Sequence, residues 1–357
     1  MKINLIGNPQ IIMSNPNSKH NYFGLPTVAK LQDGTIAVVA SGFRLRHVCP
    51  FGKTVISYSR DNGETYTLPA PVIDTVLDDR DGGVVPFGEK SVIVTSFNNT
   101  LEQQRAWAIE NGPNHYALAY VDSIPLEEEA KYLGSTYRIS HDYGVTFGEI
   151  KNSPVTSPHG PVELPDGALL WVGNDFTGPK STTVLKVYRM EPDGTVTYLS
   201  EIEKATWHGQ DATSYEPHTI LLDDGTLLTH IRVHCDEVFT TYQTESTDGG
   251  KTWTTPHQII DDFGGSPAHI LKHSSGVLIS TYGHRHAPFG IKAMFSKDGG
   301  KTWDYDYDLY ITEVSPDLGY PSTIEMEDGS LLTVFYAKES IEAPAVIFQQ
   351  KWRFEDI

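Results

Sequence analysis

The chain has 357 residues and a formal net charge of −19 at neutral pH, with 39% hydrophobic and 20% charged residues. A field of that sign repels phosphate backbones and anionic membrane surfaces, so nucleic acid and membrane are not expected partners. Two cysteines without short spacing, Cys49 and Cys235, make neither a disulfide framework nor a zinc signature, and no apolar run is long enough to span a bilayer.

The chain opens on Met1-Lys2-Ile3-Asn4-Leu5-Ile6-Gly7-Asn8-Pro9, which lacks the apolar run and cleavage site of a secretory signal, and the expected location is the cytoplasm. Lys2–Met13 reads as a strand. An Asp33-Gly34 turn between apolar runs follows, then Ser59-Arg60-Asp61-Asn62-Gly63-Glu64-Thr65-Tyr66. The next unit turns at Gly88. It carries an insertion from about 100 to 133 with two helix-like pieces, Leu101–Glu110 and Leu126–Leu133, and ends on Ser140-His141-Asp142-Tyr143-Gly144-Val145-Thr146-Phe147. A third unit turns at Asp166-Gly167 and keeps only Pro192-Asp193-Gly194 of the eight-residue motif. The fourth turns at Asp224-Gly225 and ends on Ser246-Thr247-Asp248-Gly249-Gly250-Lys251-Thr252-Trp253. The fifth turns at Ser275-Gly276 and ends on Ser296-Lys297-Asp298-Gly299-Gly300-Lys301-Thr302-Trp303. The sixth turns at Asp328-Gly329 and finishes with a strand over Ala345–Phe354.

Six such turns, roughly 50 to 80 residues apart, mean six four-stranded blades. The fold class is therefore all-β, a six-bladed β-propeller formed by the whole chain as one domain. Its last blade lacks the motif because the N-terminal strand comes round to close the ring, which removes exposed sheet edges. In Ser-x-Asp-x-Gly-x-Thr-aromatic the Asp caps backbone N–H groups, Gly supplies a positive φ, and the aromatic residue buries against the neighbouring sheet. The motif is structural.

Let the strands of a blade be A to D from the axis outward. The A–B turns and the C–D motifs then share one face. The starts of A and ends of B converge near the axis on the other, where six equivalent loops meet in a pocket. The A starts contain Asp79, Arg80, Asp81, His159, Glu216, His218, His269 and Tyr320. The B ends contain Arg44, Arg46, His47, Arg232, His234, Arg285 and His286. An acidic protein thus concentrates Arg and His at one mouth. The His residues fit hydrogen bonding to ligand hydroxyls better than metal ligation, and no cofactor is expected. Trp107, on the insertion that overhangs the mouth, is a candidate sugar-stacking platform.

The eight-residue repeats and these windows resemble those of the sialidase (neuraminidase) superfamily, whose Asp boxes (BNR repeats) have this form. The chain is similar in particular to a divergent bacterial group of sialidase-like proteins. The resemblance implies an exo-acting glycosidase. Tyr320, in Gly319-Tyr320-Pro321-Ser322, takes the nucleophile's place and Glu216, in Tyr215-Glu216-Pro217, that of its base. Arg232 takes the place of an arginine that binds the substrate carboxylate, and Arg285 lies near that of another. A neutral phenol suits a sugar with a carboxylate on its anomeric carbon, because a carboxylate nucleophile would be repelled. The sequence departs from the family at two positions. Gly24 stands where the first arginine is expected, leaving Arg44 or Arg46 to replace it. The loop Arg44-Leu45-Arg46-His47-Val48-Cys49-Pro50 has no Asp, leaving His47, Asp79 or Asp81 as the acid.

Four functions stay open on these residues. One is a retaining exo-glycosidase for a terminal acidic sugar. The second is an inverting glycosidase using Glu216 with Asp81. The third is a uronate polysaccharide lyase with Tyr320 or a His as base, and the fourth a non-catalytic sugar-binding propeller. All four take a glycan as partner.

Overall fold

A computed structural model of the chain describes residues 1–110, 115–175, 184–235 and 238–356. Six four-stranded antiparallel sheets form the blades. From the axis outward, blade one is Tyr22–Lys30, Ile36–Arg44, Lys53–Ser59 and Ala70–Ile73, and blade two Val84–Phe87, Ser91–Phe97, Ser135–Ser140 and Lys151–Asn152. Blade three is Val162–Glu163, Leu169–Gly173, Leu185–Met190 and Val196–Ile202; blade four is Thr213–Leu221, Leu227–Cys235, Val238–Ser246 and His257–Gln258. Blade five is Gly265–Lys272, Leu278–His284, Phe289–Ser296 and Asp304–Thr312. Blade six is Gly319–Glu325, Leu331–Lys338, Ala345–Glu355 and, from the other end of the chain, Lys2–Met13. The closing pair runs antiparallel, from Lys2 opposite Glu355 to Met13 opposite Ile347.

The burial patterns explain this order. B strands are covered on both faces, and Ile36–Arg44 (IAVVASGFR) is buried at all but one position. Outer strands such as Asp304–Thr312 alternate polar and apolar residues, as a half-buried edge requires. The Asp boxes staple blades together. In blade five the Thr302 amide and hydroxyl donate to Asp298 at 2.9 and 2.6 Å, and the Gly300 amide donates to Ser296 Oγ at 2.8 Å. The Trp303 indole then donates to Gln243 of blade four at 2.8 Å. Tyr66 of blade one reaches Gln349 of blade six in the same way, at 2.7 Å. A Cβ on Gly300 would stand 2.3 Å from Leu228 of the preceding blade, so glycine is required there for close approach as well as for its φ of +89°.

Two elements differ from expectation. Between strands B and C of blade two lie three helices: α1 Leu101–Glu110, α2 His115–Ser123 and α3 Leu126–Tyr132. The tyrosines and valine of α2 have strand-like propensity, but Ala117 and Val121, one turn apart, are buried, and Val121 joins Leu77 and Leu101 in a small apolar cluster. A short hairpin also joins Thr206–Trp207 to Gln210–Asp211, turning on His208 and Gly209 with φ of +48° and +80°.

Removing residues 1–13 would strip the outer strand from blade six and expose the edge of Ala345–Glu355. We expect the truncated protein to melt lower by roughly 10 °C or more, with a broadened transition, and to associate in solution. An unchanged melting curve would contradict closure by this strand.

Candidate active site

The innermost strands start with an unusual backbone. Leu25, Asp81, Gly160, Glu216 and Tyr320 stand at equivalent points of blades one, two, three, four and six, all with φ between +48° and +85°. Four of them precede a proline. The A–B register breaks at the same point, between Tyr215 and His218 in blade four and between Gly319 and Ser322 in blade six. Only glycine takes this conformation freely, and other residues spend about 1–3 kcal/mol in it. The bulge turns the side chain out of the blade toward the axis. In this way blades two, four and six present Asp81, Glu216 and Tyr320 to one place.

There the Tyr320 hydroxyl donates to Glu216 Oε1 at 2.5 Å, and Arg232 Nη1 donates to Glu216 Oε2 at 2.7 Å. Asn174 accepts the Glu216 backbone N–H at 3.3 Å. The Arg285 guanidinium lies 5.9 Å from the Tyr320 ring centre, held by Nε on the Leu318 carbonyl (3.0 Å) and Nη2 on the Tyr336 hydroxyl (3.3 Å). Arg80 Nε is 3.5 Å from Asp81 Oδ1, and both of these buried atoms lack a hydrogen-bond partner. Beside the group, and joined to it through Arg285, opens a cavity of about 450 Å³ lined by His47, Phe239, Arg285, His286, Pro316, Asp317 and Tyr336.

The electrostatics separate the ionisable groups. Burial pushes the Tyr320 phenol well above its ordinary value, and the Glu216 and Asp81 carboxylates push the same way. Burial alone would raise Glu216, but Arg232, the Tyr320 hydrogen bond and Arg285 outweigh it and hold the carboxyl below its usual range. Asp81 is 3% exposed; burial raises it, Arg80 pulls it back and Glu216 raises it again, to about 6. Burial lowers His47, which is therefore neutral at pH 7. Tyr22 donates to Asp317 at 2.9 Å and meets His47 Nδ1 at 2.8 Å. With the phenolic proton on Asp317, Nδ1 must carry the imidazole proton and Nε2 keeps its lone pair. In this tautomer Nε2 is the ring's acceptor atom.

Several predicted residues belong elsewhere. Arg44 is fully buried, paired with Asp78 at 2.7 Å and bonded to the His47 carbonyl at 2.8 Å; it fastens the loop after strand B rather than facing a ligand. Asp79 is also fully buried. It accepts from the Thr75 amide and hydroxyl and from Asn98, and burial raises it to about 7. His159, His218 and His269 form a layer beneath the site, with ring centres 4.3–5.1 Å apart. They close the inner end of a channel of about 660 Å³ that opens on the Asp-box face. His234 stacks on Phe239 at 4.4 Å, and Phe239 in turn lies 4.5 Å from the Arg232 guanidinium. Arg46 and Trp107 are half-buried, on the blade-one loop and on α1. Of the predicted residues, Arg80, Asp81, Glu216, Arg232, Arg285 and Tyr320 stand together, with His47 and His286 on the cavity wall.

Sequence reasoning missed Tyr22, Asp317 and Asn174, and passed over Tyr336 although it ends a B strand. A Cβ on Gly24 would stand 3.2 Å from the Tyr22 ring and 3.5 Å from that of Tyr336. At Gly24, where the resemblance implies an arginine, these two tyrosine rings stand closest.

A six-bladed ring stapled by Asp boxes, with a Tyr–Glu–Arg cluster at its axis, is a sialidase-like propeller. The chain belongs to the BNR repeat-like domain family, whose model matches residues 117–333. Among solved structures it is similar to a protein of unknown function from Dyadobacter fermentans, at 19% identity over 99% of each chain with a TM-score of 0.78. It is also similar to the leech intramolecular trans-sialidase (13% identity, 98% of this chain and 70% of that one, TM-score 0.66). The intramolecular trans-sialidase of Ruminococcus gnavus is a third (14% identity, 97% of each chain, TM-score 0.64). No curated protein matches at a significant level.

Because the folded state raises Asp81 from 3.8 to about 6, its contribution to stability is complete below the unfolded value and is lost as pH rises through about 6. Asp81→Asn tolerates the left-handed backbone and removes that loss. We expect the variant to gain about 3 kcal/mol on the wild type near pH 8 and less than about 1 kcal/mol near pH 4, read from denaturant melts. Equal stability at both would contradict a raised Asp81.

Proposed function

We propose that the protein is an exo-acting glycoside hydrolase that removes one terminal acidic, sialic-acid-like sugar from a glycan. The observation that carries this reading is the 2.5 Å hydrogen bond from the Tyr320 phenol to a Glu216 carboxylate held ionised by Arg232. As the phenol oxygen attacks the anomeric carbon, its proton passes to Glu216. The glycosidic C–O bond breaks, and Asp81, protonated below about pH 6, gives its proton to the departing oxygen. Water then attacks the anomeric carbon and breaks the bond to Tyr320. Asp81, or the free Nε2 of His47, takes the water proton, and Glu216 returns its proton to the phenol. Arg232 and Arg285, with Arg80 beyond Asp81, supply the donors for the sugar carboxylate. The cavity of about 450 Å³ suits one sugar unit rather than a polymer threaded through it.

The neutral His47, with its lone pair on the cavity wall, favours one second reading: proton abstraction and β-elimination on a uronate. Product analysis separates the two, because elimination leaves an unsaturated sugar and hydrolysis a reducing one.

Tyr320→Phe should lower turnover of an activated aryl sialoside by about a thousandfold or more while sugar binding persists. Glu216→Gln should cost about a hundredfold or more, and the double variant should be little worse than Tyr320→Phe alone, because the two act as a unit. kcat/KM for an unactivated glycoside should fall as pH rises through about 6. Full activity in Tyr320→Phe would overturn the mechanism.

A further inference from the structure

We propose that the axial channel on the Asp-box face is a binding site of its own, which takes a neutral aliphatic alcohol with its hydroxyl at the histidine layer and its hydrocarbon along the channel wall. It does not rest on the hydrolase reading. His159, His218 and His269 line the inner end of this channel. His218 Nδ1 accepts from the Ile270 amide of blade five at 2.9 Å, and His269 Nδ1 accepts from the Thr323 amide of blade six at 3.3 Å. Burial lowers both imidazoles from their ordinary value, so each is neutral and carries its one proton on Nε2. The two rings stack with centres 4.3 Å apart. Among the described residues none accepts from either Nε2–H, and both atoms reach the channel. His159 has the other tautomer. Thr27 Oγ1 donates to the Pro158 carbonyl at 2.9 Å, and so it receives the Nδ1 proton of His159 at 3.0 Å. The Nε2 lone pair of His159 is buried without a partner. The layer therefore offers two donors and one acceptor.

That set selects the ligand. A hydroxyl accepts two hydrogen bonds and donates one. A metal ion finds no ligand in His218 or His269, because neither ring has a free lone pair. Among the described residues no group of three or more His, Cys, Asp or Glu is placed to hold one. A carboxylate would be buried against neutral rings without a counter-charge, and an ammonium would face two N–H donors. The charged side chains at the outer mouth are already engaged. Lys30 pairs with Glu327 at 3.4 Å and Lys272 with Asp223, while Glu163 accepts from the Gly88 amide and Glu325 from the Ser274 amide, both at 2.8 Å. Between mouth and layer the wall is largely apolar, with Val85, Val162, Ile220 and Leu271 half-buried along it. An apolar wall and a few polar groups at one end, in a channel of about 660 Å³, have the make-up of a small-molecule site.

The experiment uses the full chain at neutral pH and three probes that share one hydrocarbon: hexan-1-ol, hexanoate and hexylammonium. Saturation-transfer NMR reads binding, and proton–nitrogen correlation spectra of the histidine rings read its place. Hexan-1-ol should bind at least about tenfold more tightly than either ion. It should also bind roughly tenfold more tightly than butan-1-ol, because each buried CH₂ is worth about fourfold. The Nε2–H signals of His218 and His269 should shift as it binds. Val85→Phe narrows the channel and leaves the layer intact, and it should weaken hexan-1-ol about tenfold or more. His269→Phe removes one donor and should do the same. Because it also leaves the Thr323 amide unpaired, Val85→Phe and the probe series decide if that variant does not fold. Hexanoate bound as tightly as the alcohol, hexan-1-ol bound without movement of the His218 and His269 signals, or equal binding by Val85→Phe would overturn the site. So would a folded wild type that binds no hexan-1-ol and holds only water in the channel.

Discussion

Everything at the centre of this molecule depends on one backbone constraint, the left-handed residue at the start of the innermost strands of blades one, two, three, four and six. A regular strand would alternate its side chains between the two faces of its own blade. The bulge breaks that alternation once per blade and points a single side chain at the axis. Three of the places hold Asp81, Glu216 and Tyr320, while Leu25 and Gly160 take the same conformation with no polar group. The conformational cost is borne because the ring over-determines it: prolines follow, the register is locked on both sides of the break, and neighbouring inner strands pack around it.

The second consequence is electrostatic. Groups brought together by bulges are buried, so each ionises by its partners rather than by water. Glu216 shares its site with Arg232 and stays charged. Burial raises Asp81, Arg80 pulls it back and Glu216 raises it again, so that it holds its proton up to about pH 6. Two carboxylates on equivalent positions thus shift in opposite directions, Glu216 down and Asp81 up. The Asp boxes on the far face serve this indirectly, by holding each blade to the preceding one through contacts such as Trp303 to Gln243.

The repeat period, the six blades and the closing strand were legible in the sequence because turn chemistry is local. Tyr320, Glu216 and Arg232 were singled out through the family resemblance of the short motifs that carry them, and the structure brings the three together. Arg44 and Asp79 were not, because what separates a ligand-binding side chain from a buried one is its partner. Asp78, which takes Arg44, is indistinguishable in sequence from its neighbours. His159, His218 and His269 were read as mouth residues, yet the register break decides on which side of the layer a residue falls, and their rings meet one another beneath the site. The Tyr22–Asp317–His47 group joins distant segments, and the repeat pattern carries no signal for such a contact.

The central claim is that the bulge of blade six delivers a phenol, not a carboxylate, to the anomeric carbon. The most direct measurement is intact-protein and peptide mass spectrometry after exposure to a 3-fluorinated sialosyl fluoride, which forms the glycosyl-enzyme but slows its hydrolysis. The account predicts one added sugar, located on the peptide carrying Tyr320 and absent in Tyr320→Phe. A sugar carried by Asp81 or Glu216, or catalytic turnover of the reagent with no adduct in any peptide, would contradict it.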